Sequence, residues 1–325
     1  MGYLSKIQAE LAPELREMNE LIDEVLATRH ELINTVVTNY LKIKGKQIRP
    51  IVVMLSARMF GPMNRDVIYA CAALEMLHNA SLIHDDVIDE TKLRRGLATM
   101  NAQWGNLLAV LVGDYFISNA LRTGLMTGNL TIIGALSDLG KELSIGEIDQ
   151  ACNVRDHNID EESYFGMIGK KTAALFVNCV RIGAEAVGAK PEEYAPLVRY
   201  AELLGLCFQI KDDIFDYFDD EARIGKPTGN DLREGKVTLP LIYALNTAPA
   251  DEAAPMHELV RLDRPTDSQI RTLVDFAKAH GGIEYAFSRM RAMQAEASEI
   301  MAVYPDSPWK RHFADIFEFI ISRDL

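Results

Sequence analysis

Apolar residues recur at spacings of three and four along most of this chain, and that period predicts helices almost throughout. Leu11, Leu15, Met18, Ile22 and Val25 form one such face, with acidic and other polar residues between them. A second pattern runs over 32–44 and stops at Gly45, which suits a helix C-terminus. Pro50 fits the first turn of the next helix. Asn64 can cap a long helix running towards Asp89. Asp160 can cap another, with Glu161 and Glu162 at the positive end of its dipole. Pro191 opens a helix towards Asp216, and the tail carries helical patterns over 267–280, 284–301 and 309–322.

Strand signals are weak. Val36-Val37-Thr38 lies inside a helical pattern, and Val237-Thr238-Leu239 is short. An α/β domain would need β-branched runs between the helices, and they are absent. One long loop, 220–236, gathers Gly225, Pro227, Gly229 and Gly235 with Lys226 and Lys236. Such a loop between helices is more often functional than accidental. The expected fold is a single all-α domain spanning 1–325.

Charge and cysteines narrow the function. The 325 residues are 48% hydrophobic, ample for a large core, and carry a net charge of −13. That sign disfavours nucleic acid and anionic lipid as partners. It also obliges any phosphorylated ligand to meet metal ions or local Lys/Arg clusters. Cys71, Cys152, Cys179 and Cys207 are far apart in sequence, with no C-x-x-C pair, which points to reduced core thiols. The start of the chain lacks a basic stretch followed by an apolar core, and no apolar run reaches transmembrane length. The expectation is a cytoplasmic protein with no stable membrane insertion.

The chemistry lies in two repeats of one pattern, Asp85-Asp86-x-x-Asp89 and Asp212-Asp213-x-x-Asp216. With Asp at ~6% of positions, one such triplet is expected about 0.07 times in a chain this long, and two are far rarer. On a helix, positions i and i+4 share a face, so Asp85 and Asp89 point one way, as do Asp212 and Asp216. Like charges there repel unless a cation joins them. Mg²⁺ prefers carboxylate oxygen and completes its shell with water and phosphate oxygens. A calcium loop does not fit, because the twelve-residue ligand spacing and its central Gly are missing. Basic residues stand near Gly, Pro or the Asp clusters: Lys46 and Arg49, Arg94 and Arg95, Lys170 and Lys171, Lys226 and Lys236. Arg grips phosphate as a fork and Lys as a point charge. His78 stands two helical turns before Asp85 and can donate to a second phosphate.

With these residues in order, the chain closely resembles the trans-isoprenyl diphosphate synthases, or polyprenyl synthetases. The resemblance runs from Gly45-Lys46-Gln47-Ile48-Arg49-Pro50 through His78 to Asp89, Arg94-Arg95-Gly96 and Gly113-Asp114. It continues through Gly146-Glu147-Ile148-Asp149-Gln150, Lys171-Thr172-Ala173, Phe208 to Asp213, and Gly225 to Pro240. Gln47 departs from it, standing where many members carry a basic residue. The resemblance implies an all-α helical bundle around a central cavity, a homodimer, and elongation of an allylic diphosphate by isopentenyl diphosphate with two to three Mg²⁺ ions. It implies that Asp85, Asp89 and Asp212 are direct metal ligands, with Asp86, Asp213 and Asp216 as ligands or water-mediated supports. Arg94, Lys171, Lys226 and Lys236 match positions that hold the allylic diphosphate. Lys46, Arg49, His78 and Arg95 match those that hold isopentenyl diphosphate. Thr172 and Gln209 match positions whose oxygens face a carbocation.

Product length is approached through the helix before Asp85. Short-chain members resembling this one place an aromatic four or five residues back, whereas here Ala80 and Ser81 are small. An open tunnel is expected, with the next barrier at Leu77 or Leu74, ~12 and ~16 Å down. The product should therefore exceed fifteen carbons, as in a medium- or long-chain member. A terpene cyclase of the same class usually replaces the second Asp cluster and does not need Lys46, Arg49 and His78. A non-catalytic partner subunit should have lost a cluster, and both are intact.

Overall fold

The computed structural model describes residues 2–42, 45–94, 96–218 and 228–323. Helices dominate as the apolar period predicts. They are α1 (Tyr3–Glu10), α2 (Ala12–Leu26), α3 (Glu31–Leu41), α4 (Ile48–Phe60), α5 (Arg65–Ile88), α6 (Met100–Trp104), α7 (Asn106–Leu125), α8 (Leu130–Asp156) and α9 (Glu161–Ile168). A π-helical turn (Gly169–Ala173) leads into α10 (Ala174–Glu185) and α11 (Pro191–Phe215). After these come α12 (Asn230–Arg233), α13 (Leu239–Thr247), α14 (Ala250–Val260), α15 (Asp267–Ala279), α16 (Gly282–Met301) and α17 (Pro308–Ser322).

The predicted N-caps are in place. Asn64 accepts from the Val67 amide at 3.0 Å and Asp160 from Ser163 at 2.7 Å. Two boundaries differ. α3 ends at Leu41, before Gly45, and α4 starts with Gln47 in the left-handed region at φ 52. The buried face of α2 turns inward at Leu26, leaving Val25 half-buried. Val36-Val37-Thr38 is helical, inside α3. The described strands are two residues each, β1 (Leu93–Arg94) and β2 (Leu97–Ala98), an antiparallel pair just after α5.

The chain divides into two compact units. The first comprises Met1–Lys141, Leu175–Arg199 and Tyr304–Ile316, and the second Glu142–Ala174, Tyr200–Val303 and Phe317–Leu325. In the first, α5 packs chiefly on α7, with α2 and α4 also against it. Its core includes Met54, Leu55, Leu74, Phe116 and Phe176, all fully buried. Gly113 permits the α5–α7 approach. A Cβ there would lie 2.1 Å from His84 Nε2, which sits 3.1 Å from the Val110 carbonyl and 3.6 Å from Asp114. The Gly113-Asp114 pair therefore braces the residue immediately before Asp85.

In the second unit α13 packs against α15 and α16, and α9 against the π-turn. Leu204, Ile210, Leu241, Phe317 and Ile320 are among its buried apolar residues. All four cysteines are free thiols, three of them buried. No described helix is long and apolar enough to cross a membrane.

Candidate active site

The first cluster closes α5 in the first unit. At ~100° per residue, His78, Ser81, Asp85 and Asp89 fall within a sector of about 80° on that helix. Asp85 and Asp89 are half-buried, while Asp86 is turned inward and buried. Arg94 of β1 places Nε 2.9 Å and Nη2 2.8 Å from Asp86 Oδ1. Asn101 of α6 holds the Asp86 carbonyl at 2.9 Å. The middle carboxylate thus fixes the Arg94 guanidinium near Asp85. His78 is buried, Arg49 lies 5.8 Å from the Phe176 ring, and Lys46 is exposed with its carbonyl accepting from Gln8. Gln47 Nε2 donates to Asn19 at 3.0 Å, so that residue serves the fold here. Arg95 and Lys226 lie outside the described residues.

In the second unit, one close approach shapes the π-turn. A Cβ on Gly146 of α8 would stand 2.6 Å from the Lys171 amide nitrogen, so only glycine lets the two segments come this near. The Gly146–Gln150 stretch then supplies the acceptors. Lys171 Nζ is 2.6 Å from Glu147 Oε2 and donates to Gln150 Oε1 at 2.9 Å. Lys170 pairs with Asp149 at 2.7 Å. π-turns within α-helices cluster at functional sites, because the widened turn re-aims side chains.

The second cluster divides its work among three carboxylates. Asp213 is 4% exposed and accepts from the Tyr164 hydroxyl at 2.6 Å and from Gln209 Nε2 at 2.8 Å, one partner on each oxygen. Burial pushes its carboxyl upward, the bonds from Tyr164 and Gln209 favour the charged form, and Asp212 and Asp216 push it up again. Burial, with the Asp213 charge, holds the Tyr164 phenol well above its ordinary range, so it remains a donor. Thr172 Oγ1 donates to Gln209 Oε1 at 2.7 Å. Asp216 accepts from the backbone amides of Asn230 and Asp231, both at 2.9 Å, and so caps α12. It anchors the segment that carries Lys236, whose Nζ is 2.6 Å from Glu234. Spacing alone groups Asp216 with Asp212 as an outward pair; the structure gives Asp216 a protein partner on each oxygen instead. Asp212 keeps 40% of its side chain exposed, and Arg323 reaches its Oδ1 at 2.6 Å while stacking on Phe208.

A cavity of about 160 Å³ in this unit is lined by Tyr164, Lys171, Gln209, Asp213, Asp231 and Lys236, among others. It brings together Lys171, Gln209, Asp213 and Lys236 from the sequence-derived set. A second cavity, of about 430 Å³ in the first unit, borders Asp86 and Arg94 and is walled by Tyr40, Leu82, Met100 and Trp104. Of the product-length residues, Leu74, Leu77 and Ala80 are buried, and Ser81 is half-buried with its hydroxyl donating to the His78 carbonyl at 2.9 Å. Ser81 shares the Asp85 face, while Ala80 is turned about 140° from it. Tyr164 and Arg323 are not singled out by sequence reasoning, and Glu147 and Gln150 stand in a quoted stretch without an assigned role. Glu147 and Gln150 had a signal, the polar positions that follow Gly146.

Among the described residues no group of three or more His, Cys, Asp or Glu side chains forms a ready-made metal cage. That donor set still fits Mg²⁺. The ion usually takes one or two carboxylates and fills its remaining positions with water and phosphate oxygens, and Asp85, Asp89 and Asp212 are carboxylates with exposed surface.

Comparison with known proteins agrees. The polyprenyl synthetase family profile matches residues 30–276. Octaprenyl diphosphate synthase of Escherichia coli K12 is 33% identical over 99% of both chains. A polyprenyl synthase from Caulobacter crescentus, solved with calcium and isoprenyl diphosphate, superposes with a TM-score of 0.92 at 28% identity, covering 99% of this chain and 98% of that one. Geranylgeranyl pyrophosphate synthase from Bacteroides thetaiotaomicron gives 0.85 at 38% identity over 99% of each. This chain therefore belongs to the polyprenyl synthetase family of prenyltransferase enzymes.

Proposed function

We propose that the chain is a Mg²⁺-dependent trans-prenyltransferase that extends an allylic diphosphate with isopentenyl diphosphate to a product longer than fifteen carbons. The observation that carries this reading is the division of labour inside each aspartate cluster. Outer carboxylates (Asp85, Asp89, Asp212) keep exposed surface, and an inner one (Asp86, Asp213) is buried against a group of use to the reaction. The calcium and isoprenyl diphosphate bound by the Caulobacter enzyme support a divalent metal and a diphosphate ligand.

The allylic C–O bond breaks with its electron pair on the departing diphosphate. Arg94, Lys171, Lys226 and Lys236 offset that growing charge. Asp85 and Asp89 in the first unit and Asp212 in the second would hold Mg²⁺, which would supply further neutralisation of that charge. Lys46, Arg49, His78 and Arg95 hold isopentenyl diphosphate, whose double bond supplies the electron pair of the new C–C bond. The resulting tertiary cation loses a proton to the released diphosphate, which restores a double bond. Thr172 and Gln209 turn oxygen towards the cationic carbon. A product above fifteen carbons is supported by the small Ser81 on the Asp85 face and by the octaprenyl product named for the Escherichia coli relative.

The homodimer belongs to the same proposal. α7 exposes Leu107, Val110, Leu111, Leu121 and Leu125 in a stripe about 100° wide. The test is the purified chain with Mg²⁺, farnesyl diphosphate and labelled isopentenyl diphosphate, products resolved by length. Products above fifteen carbons are expected. Asp85→Ala and Asp212→Ala should each lower turnover by at least about 10²-fold, on the scale of lost charge stabilisation at the transition state. Near-normal transfer by either variant rejects the metal assignment.

A further inference from the structure

Four side chains of the second unit form one continuous chain of hydrogen bonds: Tyr164 to Asp213, Gln209 to Asp213, and Thr172 to Gln209. Each link is 2.6–2.8 Å, and three of the four residues are buried. We infer that Tyr164 and Asp213 are positioning residues, which lock the Gln209 amide so that Thr172 and Gln209 offer oxygen, not N–H, to the developing allylic cation. This rests on the prenyl-transfer reading above and adds to it a role for the second aspartate of the second cluster that is not metal ligation.

Donors and acceptors dictate the orientation. Both Asp213 oxygens accept, one from the Tyr164 hydroxyl and one from Gln209, so the side of Gln209 facing Asp213 is its NH₂. Asp213 lies one turn after Gln209 on α11, at the i, i+4 spacing where such pairs meet. The amide carbonyl is then forced to the other side, where the Thr172 hydroxyl donates to it. With its proton so committed, the Thr172 oxygen has only lone pairs left to offer, and Gln209 Oε1 keeps one. A flipped amide would set two acceptors 2.8 Å apart at Asp213 and aim N–H groups at Thr172. Those groups would turn positive hydrogens towards a positive carbon. Tyr164 closes the other end. Without it the second Asp213 oxygen, buried in a residue only 4% exposed, would lack this partner, and the plane of the carboxylate would be free to turn. The same two bonds, on a buried carboxylate, leave Asp213 poorly placed to ligate a metal, whereas Asp212 beside it keeps 40% of its side chain exposed.

The test is steady-state kinetics on the full-length enzyme across a Mg²⁺ titration, with thermal melting to confirm folding. Asp213→Asn keeps the shape and removes the orienting charge. Its kcat should fall on the order of 10²-fold, as when one charge-stabilising group is lost, while half-saturating Mg²⁺ and both KM values stay within about twofold. Tyr164→Phe should lower kcat by about tenfold with the same constancy. The deciding variant swaps the pair, Gln209→Glu with Asp213→Asn. In the swap the new amide donates to the new carboxylate, whose second oxygen still faces Thr172, an arrangement that neither single change can produce. The swap should recover at least about tenfold of the kcat lost in Asp213→Asn. A swap no faster than Asp213→Asn overturns the inference. So does an Asp213→Asn enzyme whose kcat is restored by excess Mg²⁺, which marks a metal ligand, or one with kcat unchanged. Gln209→Leu separates the two levels. If it keeps wild-type kcat, the reading that places Gln209 at the cation fails as well; if it is slow while Asp213→Asn is not, only the positioning role fails.

Discussion

Burial, more than spacing, assigns each aspartate its task. Asp85 and Asp86 are neighbours on one helix, yet the first is half-buried and the second is paired inward with Arg94. Asp212 and Asp213 divide in the same way, with Tyr164 claiming the inner one. The sequence makes both clusters visible but cannot apportion these roles, because the partners Arg94, Tyr164 and Arg323 arrive from other elements. Arg323 is 111 positions from the Asp212 it meets. The product-length residues show a similar sharpening. Ala80 is fully buried and turned away from Asp85, so Ala80→Phe should overpack the first unit at a cost of about 1–3 kcal/mol. Ser81 is half-buried on the Asp85 face, and Ser81→Phe should shorten the product with a smaller loss of stability. Chain-length chromatography with thermal melts on both variants checks this. An unchanged product from Ser81→Phe rejects the Asp85 face as the path of the growing chain.

At the level of elements, the sequence is most legible where the determinant is local. Asn64 and Asp160 are short polar residues directly before apolar periods, and both cap the helices expected of them. The π-turn has no such signature, since Gly169-Lys170-Lys171-Thr172 reads as ordinary helix. Its shape answers to Gly146, which clears room for the Lys171 backbone, and to Glu147, Asp149 and Gln150, which take both lysines. Deleting Gly169 should remove the extra residue, restore an α-helix and swing the Lys171 and Thr172 side chains by about 100° relative to the turn before them. Displacement of that size should cost on the order of 10²-fold in kcat/KM. Gly146→Ala acts on the same contact from the other side, by pressing a methyl against the Lys171 amide, and should slow the enzyme and lower its melting temperature together. Kinetics and melting curves decide it. Full activity in the Gly169 deletion would mean that the π-turn does not position Lys171.

For the whole molecule, two opposed terms bear on association. Leu107, Val110, Leu111, Leu121 and Leu125 lie along one side of α7, with Leu107 78% exposed. Fully burying an exposed Leu or Val stabilises by roughly 1.5–3 kcal/mol, and each of these gains a share set by the surface it still exposes. Against this, each chain carries a net charge of −13, so two copies repel. Screening weakens that repulsion as salt rises from about 0.01 M to 0.15 M, where the Debye length falls from about 30 Å to 8 Å. The apolar term does not weaken over this range. The dimer should therefore tighten with salt, and sedimentation equilibrium should give a mass near twice the 36.3 kDa of one chain. Leu107→Glu with Leu111→Glu places two more negative charges in the middle of the stripe. That variant should sediment as a monomer at about 0.15 M salt, with helical content by circular dichroism unchanged, because neither side chain belongs to the buried core of the first unit. A variant that stays dimeric would show that the copies meet through another face, and a wild-type chain that is monomeric at every salt concentration would rule out the stripe as a contact between copies.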